Sequence, residues 1–336
     1  MTRLSVGLIG LGRLGRVYAR DLARRIPETR LVAVADPAGS LAQEVAAEFD
    51  VPRHYADPSA LIDDPSVDAI VIVSPTHTHR ELVGAAASRR KPTFCEKPPA
   101  LSLDETAAMQ DGIARAGMFF QMGFMRRFDT GYASARKQIE AGRIGRPLVF
   151  KSTSRDPYRP SLEYANPKSS GGMLIDMGIH DFDLARWFMG DVRTVSTIGA
   201  TIAYPELATV GDIDNAVSSL TFASGTLGVV DLSRSGIYGY DIATDILGSE
   251  GTLRIGYLRE TPVMVLTKNS VAHDTVPYFM ERFRDAYTTQ LQNFAQNVLQ
   301  QRTPPITIAD GLEALRIGVA ATRAHETGGA VVVSRT

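Results

Sequence analysis

The segment Gly10-Leu11-Gly12-Arg13-Leu14-Gly15 most narrows what this chain can become. It follows an apolar run, Leu4–Ile9, that reads as a buried strand, and it opens a helix-like stretch, Leu14–Arg25, stopped by Pro27. In such a unit Gly10 permits the tight turn, Gly12 lets backbone approach a pyrophosphate, and Gly15 allows close helix–strand packing. The N–H groups at the helix start, at Arg13 and Leu14, point at the phosphates. An acidic residue ends the second strand: Asp36, 21 positions beyond Gly15 (36 − 15), where a ribose-binding carboxylate belongs. A glycine motif alone could be a packing turn beside a surface aspartate. Strand, helix and carboxylate together favour a dinucleotide site.

Asp36 also bears on which dinucleotide. Its carboxylate suits the two ribose hydroxyls of NAD and repels the 2′-phosphate of NADP. Pro37, Ala38, Gly39 and Ser40 follow, with no Arg or Lys to neutralise that phosphate. NAD is therefore expected.

Short apolar runs alternate with helical patterns through residue 124. Leu31–Ala35, Ala69–Val73, Pro92–Cys95 and Phe119–Gly123 read as further strands. Leu41–Phe49, Arg80–Arg89 and Asp104–Ala116 read as helices. This alternation predicts an α/β Rossmann domain over 1–124, a doubly wound parallel sheet with helices on both faces. After Phe124 the pattern changes. Helices are expected at Tyr132–Ala141, Met173–Met189, Arg282–Gln301 and Ala309–His325. Between them lie strand-like runs: Val192–Ile202, Asn215–Phe222, Thr226–Ser233, Ile242–Leu247, Thr252–Ile255 and Val263–Thr267. Residues 125–336 thus read as an α+β domain with a large open, mostly antiparallel sheet. A sheet face left bare by helices would be an oligomer interface, so a homo-oligomer, dimer or tetramer, is expected.

Composition excludes several classes. With 36 Lys+Arg against 37 Asp+Glu the formal charge is −1, which offers neither nucleic acid nor an anionic membrane a basic surface. Cys95 is the single cysteine, so neither an intrachain disulfide nor a cysteine-based zinc site can form. No apolar run is long enough to span a bilayer, and no signal-peptide pattern precedes the first strand, so a soluble cytoplasmic protein is expected.

Chemistry should sit at the carboxyl ends of the parallel strands. One strand ends in Ser74-Pro75-Thr76-His77-Thr78-His79. Two histidines here could suggest a metal pair. The favoured reading is a cofactor-facing loop, with Thr76 or Thr78 capping the next helix and no metal. The next strand ends in Cys95-Glu96-Lys97-Pro98, where a charged pair is either functional or a solvated strand end.

These motifs, with Gln121–Phe128 and the stretch Gly171–Asp181, resemble the glucose–fructose oxidoreductase/inositol dehydrogenase (Gfo/Idh/MocA) family over essentially the full length. Gly123-Phe-Met-Arg-Arg-Phe128, Tyr238-Gly-Tyr-Asp241 and Arg282-Phe-Arg-Asp-Ala-Tyr287 look most like its inositol dehydrogenase branch. The resemblance implies a Rossmann domain, a mostly antiparallel oligomerising domain, a site in the cleft between them and a cis Lys97–Pro98 peptide. It also implies Lys97 holding the reacting oxygen, His180 as general base and Asp176 as its catalytic partner. Gly10, Gly12, Arg13, Leu14, Asp36, Ser74, His77 and Glu96 would serve the cofactor. Arg127, Asp156, Tyr240 and Tyr287 are candidate contacts for a polyol or sugar. Around 154–166 the residues Tyr158, Arg159 and Tyr164 match no single branch.

Three functions remain open at this point. The first is an NAD-dependent dehydrogenase acting on a secondary hydroxyl of a cyclic polyol or pyranose. The second is a glycosidase that oxidises and re-reduces its sugar on retained NAD. The third is a non-catalytic dinucleotide sensor, which the joint presence of Lys97, Asp176 and His180 disfavours.

Overall fold

Strand β1 (Leu4–Ile9) is buried along its whole length and lies between β2 (Thr29–Ala35) and β4 (Ala69–Ile72). With β3 (Arg53–Tyr55), β5 (Thr93–Glu96) and β6 (Phe120–Gly123) they form a six-stranded sheet in the order β3-β2-β1-β4-β5-β6. Every pairing is parallel. The chain reverses direction across the sheet between β1 and β4, the switch point where ligands settle in open α/β sheets. The Rossmann expectation holds. The computed structural model describes residues 3–334.

Strand β3 and the helix Pro58–Asp63 were not expected from sequence. Strand β3 is three residues long, exposed or half-buried, and carries Arg53 and His54, so it has no apolar signature. The helix after it is short but well started: Asp57 accepts the Ser59 N–H at 2.8 Å and Pro58 opens the first turn.

Contacts divide the chain differently from a single cut at 124/125. The first unit runs to Met125 and regains Asp285–Glu313; the second is Arg126–Arg284 with the chain from Ala314 onward. The return has a physical cause. Helix Arg284–Leu299 sets Phe294 edge-on to Phe94 and Tyr287 at a steep tilt to Tyr18, with centroids 5.9 Å apart in each pair. The Met122 N–H donates to Ile306 O at 3.0 Å, which occupies the otherwise open edge of β6.

The second unit is built on a seven-stranded sheet. Its strands are β7 (Pro147–Arg155), β8 (Val192–Ala200), β9 (Asn215–Phe222), β10 (Leu227–Ser233), β11 (Asp241–Gly248), β12 (Thr252–Ile255) and β15 (Val331–Val332). They lie in the order β12-β11-β7-β10-β9-β8-β15, with only β7 and β10 parallel. A separate ribbon pairs β13 (Met264–Leu266) with β14 (Val271–His273). Helix Ile179–Met189 packs on β7 and β10. The opposite face carries Ile198, Val217, Leu227 and Leu247 exposed, Ile198 at 81%.

Strand β7 was not expected, although it is central. Its inward residues include Ser152 and Ser154, not an apolar alternation, and both hydroxyls donate to the buried Asp181 carboxylate. Arg126 completes the cluster, with Nη1 2.8 Å from Asp181. The expected helix Met173–Met189 is interrupted. A turn, Met173–Asp176, ends at Met177-Gly178, and a new helix starts at Ile179. Gly178 donates five residues back to Met173 O, and a Cβ on Gly178 would stand 2.5 Å from Leu174 O, so the glycine permits this close junction. Among the described residues no helix is long and apolar enough to cross a membrane.

Candidate active site

In the first unit, the glycine turn sorts its three glycines by steric role. Gly10 has φ +90°, and a Cβ there would strike Ser74 N at 2.6 Å. A Cβ on Gly15 would meet Gly10 O at 2.0 Å, so the helix lies against the turn. Gly12 faces open space, with nothing within 4 Å of a Cβ. Only the middle glycine therefore leaves room for a ligand over the helix start. Helix Arg13–Arg20 has no side-chain cap and no acidic residue in its first turn, so its N-terminal field suits phosphate. Asp36 accepts the Leu11 N–H at 2.9 Å through Oδ2 and the Ala38 N–H at 2.9 Å through Oδ1, which fixes its carboxylate beside the turn. These residues fit a dinucleotide.

Beyond β4, Ser74 is half-buried and His77 exposed. Thr78 takes the N-cap position of helix His79–Ser88, but its hydroxyl does not cap. It donates to Pro75 O at 2.8 Å and lies 2.6 Å from Ser74 Oγ. His79 is buried between two carbonyls: Nδ1 is 2.8 Å from Pro98 O and Nε2 2.9 Å from Ser74 O. Burial pushes its pKa below the ordinary histidine value, against the pull of those carbonyls. Among the described residues no group of three or more His, Cys, Asp or Glu could hold a metal.

Glu96 turns inward. Its carboxylate accepts from Tyr18 Oη, from Gln290 Nε2 at 3.2 Å and from the Lys97 N–H at 3.1 Å. Burial raises its pKa, and these donors and the Lys97 charge act in the opposite sense. Glu96, which the family resemblance implied would serve the cofactor, accepts the Lys97 N–H and so supports the Lys97 backbone. The side chain of Lys97 is half-buried and its peptide to Pro98 is cis. Burial raises the Cys95 thiol pKa well above its ordinary value, so it offers no thiolate nucleophile.

In the second unit, Asp176 ends its short turn with a side chain 15% exposed. His180, 8% exposed, lies in the first turn of the following helix. The four-residue spacing therefore spans the interruption between two helical segments, not one continuous helical face. Tyr164, on the turn Leu162–Ala165, donates to Asp176 Oδ1 at 2.9 Å. The adjacent Asp176 charge pushes the Tyr164 pKa up, so the phenol stays a donor. Sequence reasoning saw Tyr164 only as an unusual residue. Its one available signal was a polar aromatic close ahead of the Gly171–Asp181 motif.

The remaining candidates separate. Arg127 Nε donates to Asp183 at 2.9 Å, its Nη2 contacts the same carboxylate, and the guanidinium lies 5.6 Å over Trp187. Tyr240 is buried in an aromatic group, edge-on to Tyr278 at 5.7 Å and to Phe283 at 6.3 Å. Burial raises its pKa, and the nearby Asp156 charge adds to this. Tyr287 belongs to the first unit, buried against Tyr18. Tyr278 and Tyr158, tilted rings with centroids 4.7 Å apart, join the Tyr240 group; Tyr158 stood out in the sequence only as matching no single branch, and Tyr278 did not stand out.

Two family models together cover most of the chain. Residues 4–124 match the family model described as "Oxidoreductase family, NAD-binding Rossmann fold", and 136–333 match "Oxidoreductase family, C-terminal alpha/beta domain". The chain is 40% identical to scyllo-inositol 2-dehydrogenase (NAD(+)) of Bacillus subtilis, over 96% of this chain and 94% of that one. It is 39% identical to the myo-inositol 2-dehydrogenase of Thermotoga maritima, over 96% of each. The crystal structure of scyllo-inositol dehydrogenase from Lactobacillus casei, with bound NAD(H) and scyllo-inositol, is similar at TM-score 0.94 and 31% identity, covering 99% of both chains. With a Rossmann unit whose glycine turn and Asp36 fit the dinucleotide, and a second unit matched along its length, the chain belongs to the Gfo/Idh/MocA family of NAD-dependent oxidoreductases.

Proposed function

We propose that this protein oxidises one secondary hydroxyl of a cyclic polyol to a ketone, with an inositol preferred over a pyranose sugar. One observation carries the reading. Asp176 and the buried imidazole of His180 stand four residues apart, in a chain aligned almost end to end with enzymes named for inositol oxidation.

In this reading Gly10, Gly12, Arg13 and Leu14 receive the pyrophosphate, Asp36 the ribose, and Ser74 and His77 the nicotinamide end. Glu96 holds the Lys97 backbone from inside. Bound NAD+ supplies the acceptor for the hydride that leaves the carbinol carbon. Loss of hydride requires the hydroxyl proton to leave too, and the His180 imidazole accepts it. The Lys97 ammonium holds the same oxygen and lowers the cost of its alkoxide character. Asp176 binds the neighbouring hydroxyl and orients the ring. Asp156 and Tyr240 supply further polar contacts. Arg127 and Tyr287 act from behind, through Asp183 and Tyr18.

The bare sheet face supports a homo-oligomer, since it exposes Ile198 opposite Val217 and, further along the sheet, Leu227 and Leu247 on either side of Val149. Light scattering of the purified protein tests this; a monomer at micromolar concentration would contradict it.

The test of the activity is a panel of inositols and aldoses assayed with NAD+ for net NADH formation. Turnover of at least one inositol is expected. Failure of every cyclic polyol and aldopyranose, with NAD bound, would overturn the dehydrogenase reading. Glycoside cleavage without net NADH would assign the glycosidase in its place.

A further inference from the structure

Behind Asp176 lies a buried cation that the proposed mechanism does not use. Arg234 follows the last residue of β10, its N–H donates to Asp214 O at 2.8 Å, and its side chain is 1% exposed. Nη1 is paired with Asp212. The other oxygen of Asp212 accepts the Met173 N–H at 2.9 Å, at the first residue of the turn that ends in Asp176. The same oxygen would be only 3.1 Å from a Cβ on Gly172, which has φ +76°, so the backbone entering this turn is drawn against the carboxylate.

Nη2 points elsewhere. It is buried without a hydrogen-bond partner, and Asp176 Oδ2 lies 3.9 Å from it. Burying a guanidinium donor unsatisfied is costly, and natural structures keep such a group only where something offsets it. Tying the turn to the sheet needs only Nη1 and Asp212. The orientation of Nη2 is left unexplained by that role, and a facing carboxylate explains it. Asp214 does not compete for this cation, because its carboxylate accepts the N–H groups of Ile202, Ala203 and Tyr204.

We infer that Arg234 is a positioning residue for the reaction: anchored by Asp212, it holds the Asp176 carboxylate by Oδ2 and leaves Oδ1 to Tyr164 and the polyol. Arg234 itself touches no substrate. The inference rests on the reading of Asp176 as a substrate-binding group. It adds that the geometry of this group is set from inside the second unit.

A double-mutant cycle tests it. Polyol KM and kcat, with myo- and scyllo-inositol as substrates, are measured for wild type, Arg234→Gln, Asp176→Asn and the double variant. NADH affinity by fluorescence and Tm are recorded in parallel. Arg234→Gln should raise polyol KM about tenfold or more, within the usual coupling of charged neighbours, and leave NADH affinity within about twofold. In the Asp176→Asn background the same change should add less than about threefold. Arg234→Lys keeps the charge but cannot fork to both carboxylates, and should recover part of the loss. An equal multiplicative penalty in both backgrounds would overturn the inference, because a purely structural residue acts regardless of Asp176. So would an unchanged KM in a folded Arg234→Gln protein. If Asp176→Asn alone has no effect on polyol kinetics, the functional reading of Asp176 fails and takes the inference with it. Should Arg234→Gln fail to fold, Arg234→Gln/Asp212→Asn removes the orphaned buried carboxylate and takes its place in the same cycle.

Discussion

Tyr164 donates its phenolic hydrogen to Oδ1 of Asp176 across 2.9 Å. The carboxylate is therefore held at one oxygen by a half-exposed side chain on a four-residue turn, in the stretch whose sequence resembles no single branch of the family. A hydrogen bond to a charged group is worth roughly 1–2 kcal/mol once partial exposure is allowed for. Tyr164→Phe should accordingly raise polyol KM about five- to thirtyfold, with a smaller change in kcat. A fall in KM would mean that the phenol competes with substrate for Asp176.

Asp36 sets the cofactor. Its carboxylate is fixed by the Leu11 and Ala38 N–H groups, so it cannot swing aside for a 2′-phosphate. Juxtaposed like charges cost several kcal/mol, and kcat/KM with NAD should exceed that with NADP by about 100-fold or more. Comparable use of both cofactors would remove Asp36 from this role.

The Rossmann unit was legible because its strands other than β3 are mostly buried and read as apolar runs, and because the glycine turn, the helix after it and Asp36 agree. The second unit was legible only where its strands alternate. Strand β7 escaped because its inward side chains include Ser152 and Ser154, satisfied by Asp181 and not by apolar packing. The break between Asp176 and His180 escaped because Met177-Gly178 lies inside an otherwise helical pattern. The return of Asp285–Glu313 to the first unit depends on contacts such as Phe94 with Phe294, which no local pattern encodes. Arg234 escaped for the same reason. Its partners Asp212 and Asp176 are related to it by folding alone.

His79 should make stability depend on pH. A neutral imidazole can donate to only one of its two carbonyl neighbours, Pro98 O and Ser74 O, and burial depresses its pKa in the folded state. The unfolded chain, with an ordinary value of ~6.5, then binds the proton more readily. The stability contributed by neutral His79 is full above that pH. It is lost as pH falls towards the depressed folded value, by at most about 1.4 kcal/mol per pH unit. Thermal melts of cofactor-free protein between about pH 7 and pH 5.5 should show a steeper loss of Tm for wild type than for His79→Gln. The carboxylates titrate alike in both proteins, so the difference isolates His79. Parallel slopes would mean that the folded and unfolded chains bind this proton alike, so that burial does not depress the His79 pKa.

His180 and Lys97 should fail in different ways when replaced. His180 is buried in the first turn of helix Ile179–Met189, in the unit that does not carry the glycine turn, so its loss leaves the NAD-binding residues intact. His180→Asn should keep NADH affinity and lose about 100- to 10,000-fold in kcat, the usual span for removing a general base. The rise of the oxidation rate with pH should flatten in the same variant, because the group that must be deprotonated is gone. Lys97→Met removes the charge at the developing oxyanion, which should cost about 100- to 1,000-fold in kcat. It should also leave the histidine-dependent pH limb in place. Turnover of His180→Asn within about tenfold of wild type, with an unchanged pH profile, would exclude His180 as the base. An unchanged Lys97→Met enzyme would return Lys97 to a solvated strand end.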